Sequence, residues 1–77
     1  PNRSPHSVHL SRREQQVAAM VARGATNQEI ADELFLSTHT VKIHIKNILD
    51  KLDLRNRQQL AAYIAREGLV EDAALVE

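Results

Sequence analysis

Two Ser/Thr-x-x-Glu boxes, Ser11–Glu14 and Thr26–Glu29, cut this chain into short helices before composition is considered. In such a box the hydroxyl accepts from the backbone N–H three residues on, and the Glu returns a bond to the cap's own N–H. Ser37 is a third helix-starting residue. Asn56, with Gln59 three residues later, is a fourth. Gly24 stops the first helix, where a left-handed residue is wanted, and Gly68 stops the last. No segment alternates like a strand, and no internal repeat is present. The expected fold is all-α, with four helices.

Apolar spacing gives each helix its inner face. Leu10 staples the first helix from outside, and Val17, Met20 and Val21 form its core side. Ile30, Ala31 and Leu34 face inward on a short second helix from Asn27 to about Leu34, with Ala31 small enough for close approach. The third helix, to about Leu52, carries Val41, Ile45, Ile48, Leu49 and Leu52 on one stripe, and Asp53-Leu54-Arg55 connects it onward. The fourth runs to Glu67. Between the second and third helices lie three or four residues, the helix-turn-helix spacing, here without a glycine.

Seventy-seven residues make one small domain. Such a chain buries only roughly 60% of its unfolded surface, so its stability is limited. Residues 1–9 hold two prolines and two serines and have linker composition. Residues 10–70 form the domain, and residues 71–77 an acidic, apolar tail. No cysteine is present, which removes disulfides, thiolate metal sites and a Cys nucleophile and suits a reducing compartment. No apolar run approaches the ~20 residues of a membrane span, and no signal peptide is visible. The chain starts on Pro1, which is expected of a fragment or a processed product.

The outer side of the third helix is the unusual surface. It carries His39, Ile43, Lys46, Asn47 and Asp50, with Lys42 at the edge. Lysines reach guanine edges or phosphate, an amide reaches adenine, and an aliphatic group touches a thymine methyl. The residues alone leave two readings open: a face that reads a major groove, or a solvated amphipathic helix with one exposed Ile. A net charge of zero, from 10 Lys and Arg against 10 Asp and Glu, speaks against a strongly basic binder. The distribution answers in part. Lys42, Lys46, Lys51, Arg55 and Arg57 cluster around this helix, while Glu67, Glu71, Asp72 and Glu77 lie toward the end. That separation gives modest steering and weak non-specific affinity.

From Leu10 to Val70 the sequence resembles the DNA-binding domain of the LuxR/NarL/FixJ family of bacterial transcription regulators. The residues that carry the resemblance are Leu10-Ser11-x-Arg13-Glu14 and Gly24-x-Thr26-Asn27-Gln28-Glu29-Ile30-Ala31. They continue with Leu34-x-Leu36-Ser37, Thr40-Val41-Lys42-x-His44, Asn47-Ile48-x-x-Lys51-Leu52 and Arg57-x-Gln59. The sequence departs from the pattern at Ala18, where a larger aliphatic is common, and at Phe35, where a small or polar residue is common. The resemblance implies four helices, a dimer on two half-sites, and a C-terminal output domain of a longer regulator. A phosphoacceptor receiver, or less often a small-molecule sensor, would precede it. It also implies a cytoplasmic bacterial protein with double-stranded DNA as partner, and RNA polymerase as a candidate one.

Lys42, Ile43 and Lys46 match the family's reading positions and lie toward the start of the third helix, the part that enters a major groove. His39 and Asn47 are second choices on the same face, Asn47 for a base or a phosphate. Thr38, Thr40 and His44 are phosphate candidates at a helix N-terminus, which offers free N–H groups and a positive dipole end. Thr40 could equally cap the helix, and His44 lies beside the core stripe. Asn27 and Gln28 open the second helix toward the backbone, with capping as their alternative role. Lys51, Arg55 and Arg57 add charge for phosphate, although an internal salt bridge is an equal use of Lys51. On the fourth helix, Leu60, Ala61 and Ile64 suffice for the core. Ala62, Tyr63 and Ala65 remain for a partner, a small Ala-rich patch expected to give a weak dimer.

No metal, cofactor or catalytic site is expected. His6 and His9 lie in the linker, and His39 and His44 sit roughly 140° apart on a helix, so no ligands converge. The hydroxyls sit at caps, and no paired carboxylates or glycine loop appear. Two other readings share these residues. A promoter-reading region of a sigma factor would have the same capped helices without a dimerising fourth one. A helical protein-interaction module would account for the zero net charge and would never meet DNA.

Overall fold

The computed structural model describes residues 9–67. Gly68, Val70, the 71–77 tail and His6 in the linker lie outside the described residues. Four helices follow one another: α1 Arg12–Ala22, α2 Asn27–Leu34, α3 Thr38–Leu52 and α4 Arg57–Glu67. The described residues contain no strand.

Each start follows from its cap. Ser11 Oγ accepts from Glu14 N at 3.1 Å and Glu14 Oε1 accepts from Ser11 N at 2.9 Å. Thr26 and Glu29 repeat the exchange at 3.1 and 2.8 Å. At Ser37 there is no acid to answer; its Oγ accepts from Thr40 N at 3.0 Å. Asn56 Oδ1 accepts from Gln59 N at 2.8 Å, while Gln59 Oε1 takes the N–H of Arg55 at 2.8 Å. These bonds satisfy donors that a helix N-terminus leaves without intrahelical partners.

The three interior helix ends share one device. Ala25 N donates to Met20 O, Leu36 N to Ala31 O, and Leu54 N to Leu49 O, each closing a six-to-one loop. Each loop needs one left-handed residue. Gly24 supplies the first with φ 89°. Phe35 and Asp53 supply the others, both with φ 59°. Asp tolerates this conformation, whereas an aromatic residue there is strained.

Leu10, Val17, Ala18, Ile30, Val41 and Ile48 anchor the core, joined by Leu60 and Ile64 from α4. α1 packs against α3 and α4, and α2 against α3. Ala18 is fully enclosed, which accounts for a small side chain there. Met20 is only partly buried. Burying the apolar stripe of α3 fixes its opposite side to the exterior.

One long-range contact ties the frame together. Lys51 Nζ donates to Glu14 Oε1 at 2.7 Å and to the carbonyl of His9 at 3.2 Å. Glu14 is buried, at 6% exposure. Burial alone would raise its pKa, but Lys51 and the Ser11 N–H together outweigh it, so the carboxyl titrates below its ordinary value.

Candidate nucleic-acid interface

The buried stripe of α3 sets what faces outward. His39, Lys42, Ile43, Lys46 and Asn47 are all exposed along one side of the helix. Ile43 is 45% exposed, so its apolar group is presented to solvent rather than folded in. Lys46 Nζ lies 3.4 Å from Asp50 Oδ2, one turn on. Both are well exposed, so this pair is a weak tether that a stronger anionic partner displaces at little cost.

The start of α3 is set apart from those of α1 and α2. Those two carry Glu14 and Glu29 in the first turn, where a carboxylate complements the helix dipole; α3 has no acid there. Its positive end is therefore left uncompensated among the side chains of its own first turn. Ser37 Oγ donates to Thr40 Oγ1 at 3.0 Å, so Thr40 serves the cap as an acceptor and keeps its own hydroxyl proton to give. Thr38 is half-buried, as is His44.

The opening of α2 is held from α4. Arg57 Nη1 donates to Asn27 Oδ1 at 2.6 Å, and Nη2 to the carbonyl of Ala25 at 2.7 Å. Gln28 Nε2 donates to Asp32 Oδ1 at 2.9 Å and is exposed. Asn27, Arg57 and Arg55 line, together with Lys42, Lys46 and the carboxylate of Asp50, a cleft of about 380 Å³. Its floor is Ile45, Leu49 and Leu54. The structure thus joins the outer face of α3 to the starts of α2 and α4 in one mostly cationic surface.

Two residues singled out from the sequence also make contacts within the fold itself. Lys51, a phosphate candidate, spends its ammonium on Glu14 and the His9 carbonyl, which is the internal use that competed with phosphate. Tyr63, assigned to a partner face, is partly buried against the core, leaving Ala62 and Ala65 exposed beside it. The Arg57–Asn27 bond had no sequence signal, because it spans thirty positions of the chain. The cleft floor at Leu54 was likewise hidden in what read as a connector.

A capped second helix, a tight turn and a third helix with one buried and one polar, cationic side define a helix-turn-helix domain that binds DNA. The chain belongs to the bacterial regulatory proteins of the luxR family, which residues 8–64 match. It is 48% identical to the transcriptional regulatory protein LiaR of Bacillus subtilis, over 90% of this chain and 32% of that protein. It is 37% identical to the response regulator protein VraR of Staphylococcus aureus, over 80% of this chain and 30% of the relative. A third relative, the uncharacterized transcriptional regulatory protein YhcZ of B. subtilis, is 43% identical over 78% of this chain and 28% of its own length. The chain therefore spans about a third of the length of these relatives.

Proposed function

We propose that this domain is the output module of a bacterial response regulator and reads an inverted-repeat operator as a dimer. Of the relatives, VraR is named a response regulator protein and LiaR a transcriptional regulatory protein, and this chain aligns with a fraction of each. Each α3 enters a major groove, with half-site centres about one helical turn apart. Lys42, Ile43 and Lys46 read base edges, with His39 and Asn47 beside them. The start of α3 at Thr38 and Thr40 and the start of α2 at Asn27 and Gln28 seat the phosphates. Arg55 and, at the margin of the face, His44 add contacts there. Lys51 drops out of this set because of its bond to Glu14. Ala62 and Ala65 lead the self-association face, with Tyr63 contributing its exposed edge. Such a patch is small, so the dimer is completed on DNA. The domain works in the cytoplasm and contacts RNA polymerase from the bound operator.

The single observation that carries this reading is the exposed α3 face, where two lysines, an amide and an isolated Ile43 stand together while the helix's own apolar stripe is satisfied. Its test is Lys42→Ala and Lys46→Ala on the best-bound duplex and on a scrambled one. Each should cost roughly 1–3 kcal/mol on the former and relax sequence preference. An equal loss on both duplexes would remove these lysines from base reading and make them phosphate contacts.

A further inference from the structure

We propose that Arg57 is a positioning residue for DNA: it acts through Asn27, turning that amide so that its NH2 group, and not its oxygen, meets a phosphate. The proposal rests on the DNA-binding face described above and assigns a division of labour within it.

Arg57 is the first residue of α4, and Asn27 the first of α2. A guanidinium has only donors, so the atom of Asn27 that faces it at 2.6 Å must be the carbonyl oxygen. The second arm of the fork, 2.7 Å from the Ala25 carbonyl, fixes the guanidinium plane. With Oδ1 held, the planar amide has one orientation left. Asn27 Nδ2 makes no hydrogen bond among the described residues, and Asn27 lies on the rim of the cleft shared with Lys42 and Lys46. The atom of Asn27 left for a phosphate oxygen is thus a donor, on the cleft that Lys42 and Lys46 also line. An amide free to turn would offer its oxygen as readily, and two acceptors facing each other repel. Arg57 also links α4 directly to the entry of α2.

Chemistry separates this role from a direct contact. A cation on phosphate releases counterions and adds to the salt dependence of binding, whereas a neutral amide on phosphate does not. Asn27→Asp makes the sharpest variant. It keeps the acceptor that Arg57 needs and strengthens the pair, but it replaces the outward NH2 with a carboxylate oxygen.

Binding of the chain to its best-bound duplex should be measured across a salt series, with thermal melting in parallel. For Asn27→Asp the expected result is an unchanged or higher Tm and a loss of DNA affinity of at least about tenfold. Arg57→Ala should weaken binding with the salt slope held, and adding Asn27→Ala to it should cost less than Asn27→Ala costs in the parent. Arg57→Lys, which lacks the fork, should not restore affinity. The proposal is overturned if Asn27→Asp binds DNA like the parent. It is also overturned if Arg57→Ala lowers the salt slope by about 1 and adds fully to Asn27→Ala, the mark of a direct phosphate contact. If the parent chain itself shows no salt-dependent duplex binding, the DNA-binding face fails and this assignment with it. With a parent that binds normally, the variants bear on Arg57 and Asn27 alone.

Discussion

At the scale of single residues, Phe35 is the least comfortable side chain in the described structure. It is 94% exposed and left-handed, so it gains little from burial and costs strain. A left-handed conformation costs an L-residue roughly 1–2 kcal/mol, and Asn bears it better than a bulky aromatic. Phe35→Asn is therefore expected to stabilise the domain by about 1 kcal/mol, which for a domain of this size is a Tm rise of roughly 4–8 °C. Thermal melting by circular dichroism checks this. A fall in Tm would mean that Phe35 makes a contact that holds the turn. The position shows a limit of sequence reading. The departure at Phe35 was legible, but the backbone conformation was not, because nothing in the residue type signals it. Gly24 announced its left-handed turn by being glycine. Phe35 and Asp53 close the same hydrogen-bonded loop without that mark.

At the scale of elements, capping and periodicity delivered the four helices, because both act within a few residues. The ties between helices were not legible. Glu14 was visible as half of a capping box, yet it also receives Lys51 from α3, thirty-seven positions away. One carboxylate thus starts α1 and fastens the end of α3. Glu14→Gln removes the charge and keeps most of the shape. It should cost about 1–2 kcal/mol near neutral pH, less than a fully buried pair because Lys51 is 42% exposed in its side chain. The sign of the pH dependence follows from the lowered pKa. Folding favours the ionised carboxylate, so its contribution is whole above 4.5, the ordinary value, and is lost as pH falls through the lower folded value. Urea denaturation of the parent and of Glu14→Gln should accordingly give a gap at pH 7 that narrows in acid. A gap that stays constant down to strongly acidic pH would show that the loss is one of packing and not of charge.

At the scale of the whole molecule, a neutral chain binds a polyanion because its charge is sorted in space. The carboxylates of Glu14 and Glu29 are used at helix starts, and α2 carries Asp32 and Glu33 on its outer side. Lys42, Lys46, Arg55 and Arg57 meet at the cleft beside α3, four cations against the single carboxylate of Asp50. That sorting was half legible. The basic run from Lys42 to Arg57 could be read directly, but its junction with Asn27 needed the fold. If this surface reads a specific site as a symmetric pair, bound duplexes will carry that symmetry. They can be selected from a random pool and sequenced after rounds at two salt concentrations. The expected product is an enriched two-fold symmetric motif with half-site centres about one helical turn apart, bound more weakly as salt rises. An asymmetric single half-site would rule out the paired reading, and no enrichment at either salt would rule out sequence recognition itself.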